Sequence, residues 1–224
     1  GLDIGEVLRL KDAGRSVAAY PDHGLSGLAA SDALQKADPD LLIELSPTNL
    51  EHGEPGLSAI VWALSHGMDV VTANKGPLVL AYQRLAKLAA HSRVSLRFSG
   101  AVAGGLPTVN IGQRDLVGAK VLRVEGVFNT TTNYILMCMG EDALSFEEAL
   151  AEAQEAGVVE ADPSLDIDGW DPTNKLVIVA NSVLGMPATL QDVSVKGIRG
   201  IGIADPARAR ENGRPLKSLA TAEL

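Results

Sequence analysis

The fold and the chemistry of this chain centre on residues 157–185, GVVEADPSLDIDGWDPTNKLVIVANSVLG. An apolar run follows a single lysine, Lys175, and five acidic residues come before it: Glu160, Asp162, Asp166, Asp168 and Asp171. Carboxylates are costly to bring near an apolar core unless a partner compensates their charge. If a helix begins near Gly169, Asp171 and Lys175 share one face in the favourable order. The pattern by itself leaves two interpretations equally open, a solvated acidic loop with a surface ion pair or an active site.

Short apolar runs upstream of this segment predict a parallel β-sheet. The predicted strands are LLIEL (41–45), MDVVTAN (68–74) and VSLRFSG (94–100). Helical spacing predicts helices over residues 3–13, 31–37 (capped by Ser31), 56–66 and 76–92. Strands that alternate with helices of this length indicate βαβ units.

After Gly105 the predicted helices and strands no longer alternate one by one. The spacing predicts helices over residues 107–118, 131–139, 145–157, 171–185 and 206–212, and strands over 121–129, 190–198 and 215–224. Ser145 and Glu148 have the spacing of a capping box at the start of one of these helices. We therefore expect two domains, residues 1–106 with the parallel sheet and residues 107–224 with an α+β layout.

Composition narrows the class of protein. The 224 residues carry a net charge of −9, which argues against nucleic acid as a general partner. The one cysteine, Cys138, excludes an internal disulfide and a cysteine-built metal site. The sequence has neither an apolar stretch long enough for a membrane span nor a signal-peptide pattern at its start. These features predict a cytoplasmic enzyme or binding protein.

Polar residues follow two predicted strands at the sheet edge where α/β proteins bind ligands. Asn74 ends one predicted strand and Lys75 follows it, and a lysine beside the positive end of a helix suits proton transfer or anion binding. Ser46, Thr48 and Asn49 follow the neighbouring strand and could hydrogen-bond a ribose or phosphate. An exposed turn lysine and simple turn caps are the alternative interpretations.

Two other loops favour structural interpretations on pattern alone. The stretch SGAVAGGLP (99–107) is rich in glycine, but it lacks the G-x-G-x-x-G spacing of a dinucleotide-binding loop. The stretch FNTTTNY (128–134) is typical of a helix cap, although a helix N-terminus also suits a carboxylate ligand.

Four motifs together resemble the homoserine dehydrogenase family: VVTANKGPL (70–78), AGGLP (103–107), GVFNTTTNYIL (126–136) and EAQEAGVVEADPSLDIDGWDPTNK (152–175). The resemblance implies NAD- or NADP-dependent interconversion of homoserine and aspartate 4-semialdehyde, in threonine and methionine biosynthesis. It also implies a fold, a partial Rossmann-type parallel sheet followed by an α+β catalytic and dimerisation domain with a mixed sheet. The expected assembly is a homodimer or homotetramer.

The resemblance also assigns roles to individual residues. Lys175 matches the catalytic acid/base lysine, Lys75 a second active-site lysine near the nicotinamide, and Asp171 the carboxylate that works with Lys175. The substrate contacts that it implies are Glu160, Asp166 and Thr131. The expected cofactor contacts are Lys75, from the resemblance, and Ser46, Thr48 and Asn74, from their place at the sheet edge. Val102, Gly104 and Leu106 match positions whose carbonyls hold a structural sodium ion in some members.

The sequence departs from the family pattern in three places. The glycine-rich strand and loop expected before Gly1 are missing, and we expect this chain to be a fragment without the pyrophosphate site. Ser99 stands where many members place a glutamate ligand to the sodium ion. Thr130 replaces the usual glycine of the N-G-T-T-N motif.

The residues suit the implied chemistry. Reduction of a semialdehyde builds negative charge on oxygen, which a positioned lysine can stabilise and protonate. Two alternatives remain open: another NAD(P)-linked amino-acid dehydrogenase of the same architecture, and a catalytically silent dimerisation module with a solvated acidic loop.

Overall fold

The computed structural model describes residues 3–28, 30–37, 39–160 and 162–224. Gly1 and Leu2, at the start of the first predicted helical pattern, lie outside the described residues. The chain divides into two compact units, residues 1–40 and 41–224. The predicted domain boundary near residue 106 lies inside the second unit and stays a prediction.

Where the structure describes it, the first unit contains two helices, α1 (Ile4–Asp12) and α2 (Ala30–Ala37), with a 3₁₀ turn at Val17–Ala19 between them. Asp3 caps α1, since its carboxylate accepts a hydrogen bond from the backbone N–H of Gly5 at 2.8 Å. The predicted helix over residues 3–13 is therefore confirmed. The predicted Ser31 cap is wrong, because α2 begins at Ala30 and Ser31 already lies within its first turn.

The second unit begins with the parallel sheet. Its strands are β1 (Leu41–Glu44), β2 (Asp69–Thr72) and β3 (Leu96–Arg97), and the connecting helices are α3 (Gly56–Ser65) and α4 (Lys75–Ser92). The strand order is β1-β2-β3, and both pairs are parallel, with Val71 opposite Ile43 and Arg97. The predicted βαβ arrangement is confirmed, although β3 is much shorter than the predicted strand.

The remaining elements form the α+β part of the second unit. They are α5 (Gly100–Ala103), α6 (Thr108–Asn110), a π-helical turn (Ile111–Asp115), β4 (Arg123–Gly126), α7 (Thr130–Glu141), α8 (Phe146–Glu155), α9 (Ser164–Ile167), α10 (Trp170–Ser182), a 3₁₀ turn (Leu190–Asp192), α11 (Ala204–Glu211) and β5 (Ala220–Glu223). β4 and β5 pair antiparallel, with Arg123 opposite Glu223. The capping box predicted at the start of α8 is present.

One strand prediction is wrong. The segment 190–198 alternates as expected, with Val193 and Val195 half-buried, but in the described structure it joins no sheet. It packs instead beside α9, where the backbone N–H of Ile198 donates to the carbonyl of Ile167 at 2.8 Å. The alternation therefore reflects burial of one side of an irregular segment and not a ladder.

Helix α10 is the centre of the second unit. Most of its residues are buried, which explains why its sequence is apolar on nearly every face. Val177 and Ile178 share a core cluster with Leu78 and Val79 of α4. This packing fixes α10 against α4 and thereby positions the polar residues at the start of each helix.

The predicted fold class is confirmed, a partial parallel sheet of Rossmann type followed by an α+β part. The second sheet, expected to be mixed, is an antiparallel pair among the described residues. In the part of the chain that the structure covers, no helix combines the length and apolar character that crossing a bilayer requires.

Candidate active site

The start of α4 is built by a helix cap and a close backbone approach. Asn74 caps the helix, because its side-chain oxygen accepts a hydrogen bond from the Gly76 N–H at 3.0 Å. A Cβ on Gly76 would lie 2.3 Å from the carbonyl oxygen of Asn49. Only glycine therefore lets the loop after β1 pack against this helix, and the two segments place Lys75 at the end of the sheet.

A buried carboxylate, Glu44 at the end of β1, organises the same edge. It accepts hydrogen bonds from the backbone N–H of Ser46 and the hydroxyl of Thr72, each at 2.8 Å. The Ser46 hydroxyl and the Asn74 amide also donate to it. Hydrogen bonds to Glu44 thus occupy the side chains of Ser46 and Asn74, whereas Thr48 is exposed. The proposed cofactor contacts of these residues stay predictions.

Asp171, in the first turn of α10, bridges the two lysines. Its Oδ1 lies 2.6 Å from Nζ of Lys75, and its Oδ2 lies 2.6 Å from Nζ of Lys175. The pair with Lys175 is the expected contact four residues along one helix, but Asp171 is only 8% exposed and is not a surface group. The pair with Lys75 joins residues 96 positions apart in the chain.

The protons of the two ammonium groups are not all used within the network. Each ammonium has three N–H donors. Lys175 donates to Asp171 and, at 2.9 Å, to the carbonyl oxygen of Phe128. Among the described residues this leaves one donor of Lys175, and two of Lys75, for a bound molecule.

Asn129 connects this network to the start of α7. Its Oδ1 accepts the N–H of Thr132 at 2.8 Å, and this bond caps the helix. Its Nδ2 donates to Asp166 at 2.6 Å and to Asp171 at 3.0 Å. The sequence predicted a helix cap or a carboxylate-binding helix start for this segment, because nothing in a local pattern indicates that a capping amide also joins two distant carboxylates.

The four charged groups of this network balance one another. Lys75 and Lys175 carry two positive charges, and Asp166 and Asp171 carry two negative ones. Burial raises the pKa of Asp171, but hydrogen bonds from Lys175, Lys75 and Asn129 together outweigh it and hold this pKa below its ordinary value. Asp171 therefore stays ionised at neutral pH and anchors both ammonium groups.

Two clefts meet at Lys75. The first, which we call the strand-end cleft, has a volume of about 450 Å³ and is lined by Thr48, Asn49, Leu50, Glu51, Lys75, Leu165, Asp171 and Asn174. The second, the loop cleft, has a volume of about 840 Å³ and is lined by residues 100–104, 124–130 and by Lys75, Leu106, Asn133 and Lys175, among others. A molecule in either cleft would contact the lysine network.

The remaining residues singled out from the sequence differ in their burial and in the cleft that they line. Thr131 is buried in the first turn of α7, and Glu160 is exposed and, among the described residues, outside the network. Val102, Gly104 and Leu106 line the loop cleft. Thr130 lines the same cleft and is exposed at the start of α7, so its side chain fits where the family pattern has glycine.

One polar residue at the network was missed altogether. Asn174 lies between Thr173 and Lys175 on α10 and lines the strand-end cleft. It is 2% exposed, and its side-chain oxygen is buried without a hydrogen-bond partner among the described residues. A single asparagine inside an apolar helix is an ordinary sequence feature, so no pattern indicated it.

Within the described ranges, the side chains of His, Cys, Asp and Glu form no group of three or more that could hold a metal ion. The network itself presents two ammonium groups, Lys75 and Lys175, held by one carboxylate. A carboxylate-anchored ammonium group at a cleft can stabilise negative charge on an oxygen and transfer a proton to it.

Comparison with known proteins identifies related sequences. The family model described as homoserine dehydrogenase matches residues 107–224. A homoserine dehydrogenase from Methanocaldococcus jannaschii is 40% identical over 219 residues, which are 98% of this chain and 65% of that protein. An NAD(+)-dependent homoserine dehydrogenase from Pseudomonas canavaninivorans is 35% identical over 222 residues, which are 99% of this chain and 62% of that protein.

The fold is also similar to a solved structure. A hyperthermophilic archaeal homoserine dehydrogenase mutant in complex with NADPH superimposes with a TM-score of 0.83 and 25% sequence identity. The match covers 100% of this chain and 65% of that one. The chain thus spans less than two thirds of the length of these relatives.

Proposed function

Because the chain belongs to the homoserine dehydrogenase family, we propose that it provides the catalytic site of an NAD(P)-dependent enzyme that interconverts L-homoserine and L-aspartate 4-semialdehyde. Such an enzyme serves threonine and methionine biosynthesis. The observation that carries the proposal is the bridge of Asp171 between Lys75 and Lys175 at the junction of two clefts. A dehydrogenase of this kind needs one space for the cofactor and one for the substrate, with a proton donor between them.

Lys175 is the proposed acid/base residue. Asp171 and the Phe128 carbonyl hold two of its three donors, so the ammonium group is oriented and one donor is left for the substrate oxygen. In the reducing direction, Lys175 would stabilise the negative charge that develops on this oxygen and deliver the proton. In the oxidising direction, the neutral amine would accept the hydroxyl proton. The nicotinamide, when bound, supplies or accepts the hydride.

The proposed cofactor position is the strand-end cleft, which lies beside the carboxyl ends of β1 and β2. Ligands of parallel α/β sheets bind at this edge. The groups present fit a nicotinamide riboside: Thr48 offers an exposed hydroxyl, Lys75 a cationic donor, and Leu50 and Leu165 apolar surface for a ring. Ser46 and Asn74 would act mainly by holding this edge in place through Glu44.

The substrate's charged ends would contact groups of opposite sign. Asp166, and Glu160 further along the same segment, are the proposed partners of the amino group. Thr131 lies in the first turn of α7, and the N–H groups of a helix start suit the substrate carboxylate. Asn129 contacts Asp166 and also caps α7, so a single residue would couple the binding sites for both ends of the substrate.

The family resemblance supports three further proposals. The first is a sodium ion held by the carbonyls of Val102, Gly104 and Leu106, since hard cations prefer oxygen ligands. Ser99 offers no carboxylate here, so we expect the ion to bind weakly. The measurement is the thermal midpoint in NaCl, which should exceed that in choline chloride. A homodimer or homotetramer would be measured by light scattering. A cytoplasmic location would be measured by cell fractionation.

Substitution of Lys175 by methionine in the complete protein tests the function. We expect the Lys175→Met enzyme to lose about 10²–10⁴-fold in kcat for NAD(P)-dependent oxidation of homoserine, because general acid–base catalysis contributes about that much. Its fold and assembly should persist, since Lys75 and Asn129 still contact Asp171. The matched control is Lys120→Met, which removes an exposed lysine outside the network.

Turnover of Lys175→Met within threefold of the unchanged enzyme would refute the role of this lysine. Activity of the unchanged enzyme with another amino acid, and none with homoserine, would instead support a different dehydrogenase of the same architecture. Both outcomes are read from the same spectrophotometric assay at the absorbance of the reduced nicotinamide.

A further inference from the structure

Asn174 has a side chain whose hydrogen bonds the folded chain leaves unmade. An asparagine amide offers two donors and an acceptor, and native proteins satisfy nearly all such groups when they bury them. Asn174 is 2% exposed, yet its side chain makes no hydrogen bond with any described residue, and its Oδ1 is fully buried. An exception of this kind in a native structure needs an explanation.

Other polar residues of the same helix show that α10 can satisfy such groups. The hydroxyl of Thr173 donates to the carbonyl of Gly169 at 2.7 Å. The amide of Asn181 donates to the carbonyls of Val177 and Ala188 at 2.9 and 2.7 Å and accepts from Gln83 at 2.9 Å. The Ser182 hydroxyl at the end of α10 is also buried without a partner among the described residues, but Ser182 does not line the strand-end cleft, whereas Asn174 does.

The position of Asn174 is a wall of the strand-end cleft, beside the catalytic network. It follows Asp171 by three residues, so the two side chains are neighbours on the helix surface. Two other polar side chains of this cleft make hydrogen bonds or ion pairs within the chain: Asn49 accepts from the N–H groups of Glu51 and His52, and Asp171 pairs with both lysines. The Asn174 amide also lines this cleft, and it makes no hydrogen bond with the described residues.

From this placement we propose that Asn174 is a ligand-positioning residue whose amide pairs with a neutral donor–acceptor group, a carboxamide or a hydroxyl, of the molecule bound in the strand-end cleft. The neutral amide of Asn174 suits such a group better than a charged side chain would, since the amide and its partner can each both donate and accept a hydrogen bond. Rotation about the side chain's last bond would present either the oxygen or the nitrogen to the cleft.

The proposal rests on the proposed function for its two candidate sources. The carboxamide would come from the nicotinamide, and the hydroxyl would come from the amino-acid substrate. The chemistry that Asn174 recognises is the same in both cases, and the experiment separates them.

The test compares Asn174→Leu with Asn181→Leu in the complete protein. Both variants replace a buried asparagine of α10 by an apolar side chain of similar size, but only Asn181 has hydrogen bonds to lose. For Asn174→Leu we expect a thermal midpoint equal to or above that of the unchanged apoprotein, and for Asn181→Leu a lower one. Should Asn174→Leu fail to fold, Asn174→Ala replaces it.

Ligand binding is then measured in two arms. Recognition of the nicotinamide carboxamide predicts that Kd for NADPH, titrated by fluorescence without substrate, rises about threefold to tenfold in Asn174→Leu. The loss should be smaller with the reduced 3-acetylpyridine analogue, which has a ketone in place of the carboxamide. Recognition of the substrate hydroxyl predicts instead a rise of similar size in KM for homoserine, with Kd for NADPH unchanged.

Changes below twofold in both constants would overturn the proposal, and so would a thermal midpoint that falls as far as in Asn181→Leu. Failure of the proposed function is read separately. In that case the unchanged enzyme does not oxidise homoserine, while the NADPH arm still reports whether Asn174 contacts the cofactor.

Discussion

Replacing Asp171 by asparagine removes the charge that holds the two lysines together, while the shape of the side chain is kept. The carboxylate accepts three hydrogen bonds, from Lys75 and Lys175 at 2.6 Å each and from Asn129 at 3.0 Å. An asparagine has one oxygen that accepts, and its NH₂ group faces whichever lysine the oxygen does not. At least one ammonium group therefore loses its partner, and if the oxygen faces Lys75 the contact with Asn129 is lost together with that of Lys175.

The size of the loss follows from these contacts. A hydrogen bond to a charged group contributes about 1.5–3 kcal/mol, and a neutral one about 0.5–1.5 kcal/mol. The side chains of Lys75 and Lys175 are 27% and 19% exposed, so water recovers part of the lost interaction. We expect Asp171→Asn to lower the free energy of unfolding at pH 7 by about 2–4 kcal/mol, and Tm by about 5–10 °C.

The effect should depend on pH with a definite sign. Because the pKa of Asp171 is lowered in the folded protein, its contribution to stability is complete above the pKa of the unfolded chain, about 4 for an aspartate. The contribution disappears as the pH falls through the lower, folded value. The difference between the two proteins should thus be constant from pH 8 to about 5 and shrink below about 4.

Urea unfolding of both proteins at several pH values measures this difference. The matched control is Asp168→Asn, in the same acidic segment, because Asp168 pairs with Arg199 while both side chains remain 38% and 57% exposed. Exposed ion pairs contribute about 0–1 kcal/mol, so the control should lose little. Equal losses in the two variants at pH 7, or a difference that does not change on acidification, would refute this account of Asp171.

Two further predictions concern positions that build the site and its surroundings. Gly76→Ala would place a Cβ 2.3 Å from the Asn49 carbonyl, and we expect the free energy of unfolding in urea to fall by about 2–3 kcal/mol, together with a lower kcat. The control is Gly118→Ala, where a Cβ meets open space. Equal stabilities of the two variants would contradict the close approach. Ser145→Ala removes the capping box of α8 and should cost about 0.5–2 kcal/mol in the same measurement without changing KM for homoserine, a shift in KM being the contrary result.

Local pattern was sufficient for much of the fold. Helix α10 begins directly after Gly169 as predicted, and the ion pair of Asp171 and Lys175 lies along one of its faces. The parallel strands β1 and β2 were also predictable, because short apolar runs between helices of this length allow few alternatives. The segment 190–198 was not, since alternation reports which side is buried and does not report whether a strand partner exists.

The site divides in the same way. Lys75, Asp171 and Lys175 were identified from the sequence, and the family comparison supports the class of enzyme, while the individual roles of the site residues stay predictions. Asn129 contacts Asp166 and Asp171, which are 37 and 42 positions away in the chain, so no local pattern could predict these contacts. The burial of Glu44 and the unsatisfied amide of Asn174 likewise became visible only in three dimensions.

What the sequence determined by itself was the chemistry available and the helix that carries it, because the spacing of Asp171 and Lys175 and the apolar run after them act within a few turns. What only the tertiary structure decided was which distant groups meet. Packing of Val177 and Ile178 against Leu78 and Val79 sets the starts of α10 and α4 side by side. This packing of α10 against α4 brings Lys75 to Asp171. The ion pair of Asp171 and Lys175 along one helix thereby becomes a site in which one buried carboxylate binds two lysines.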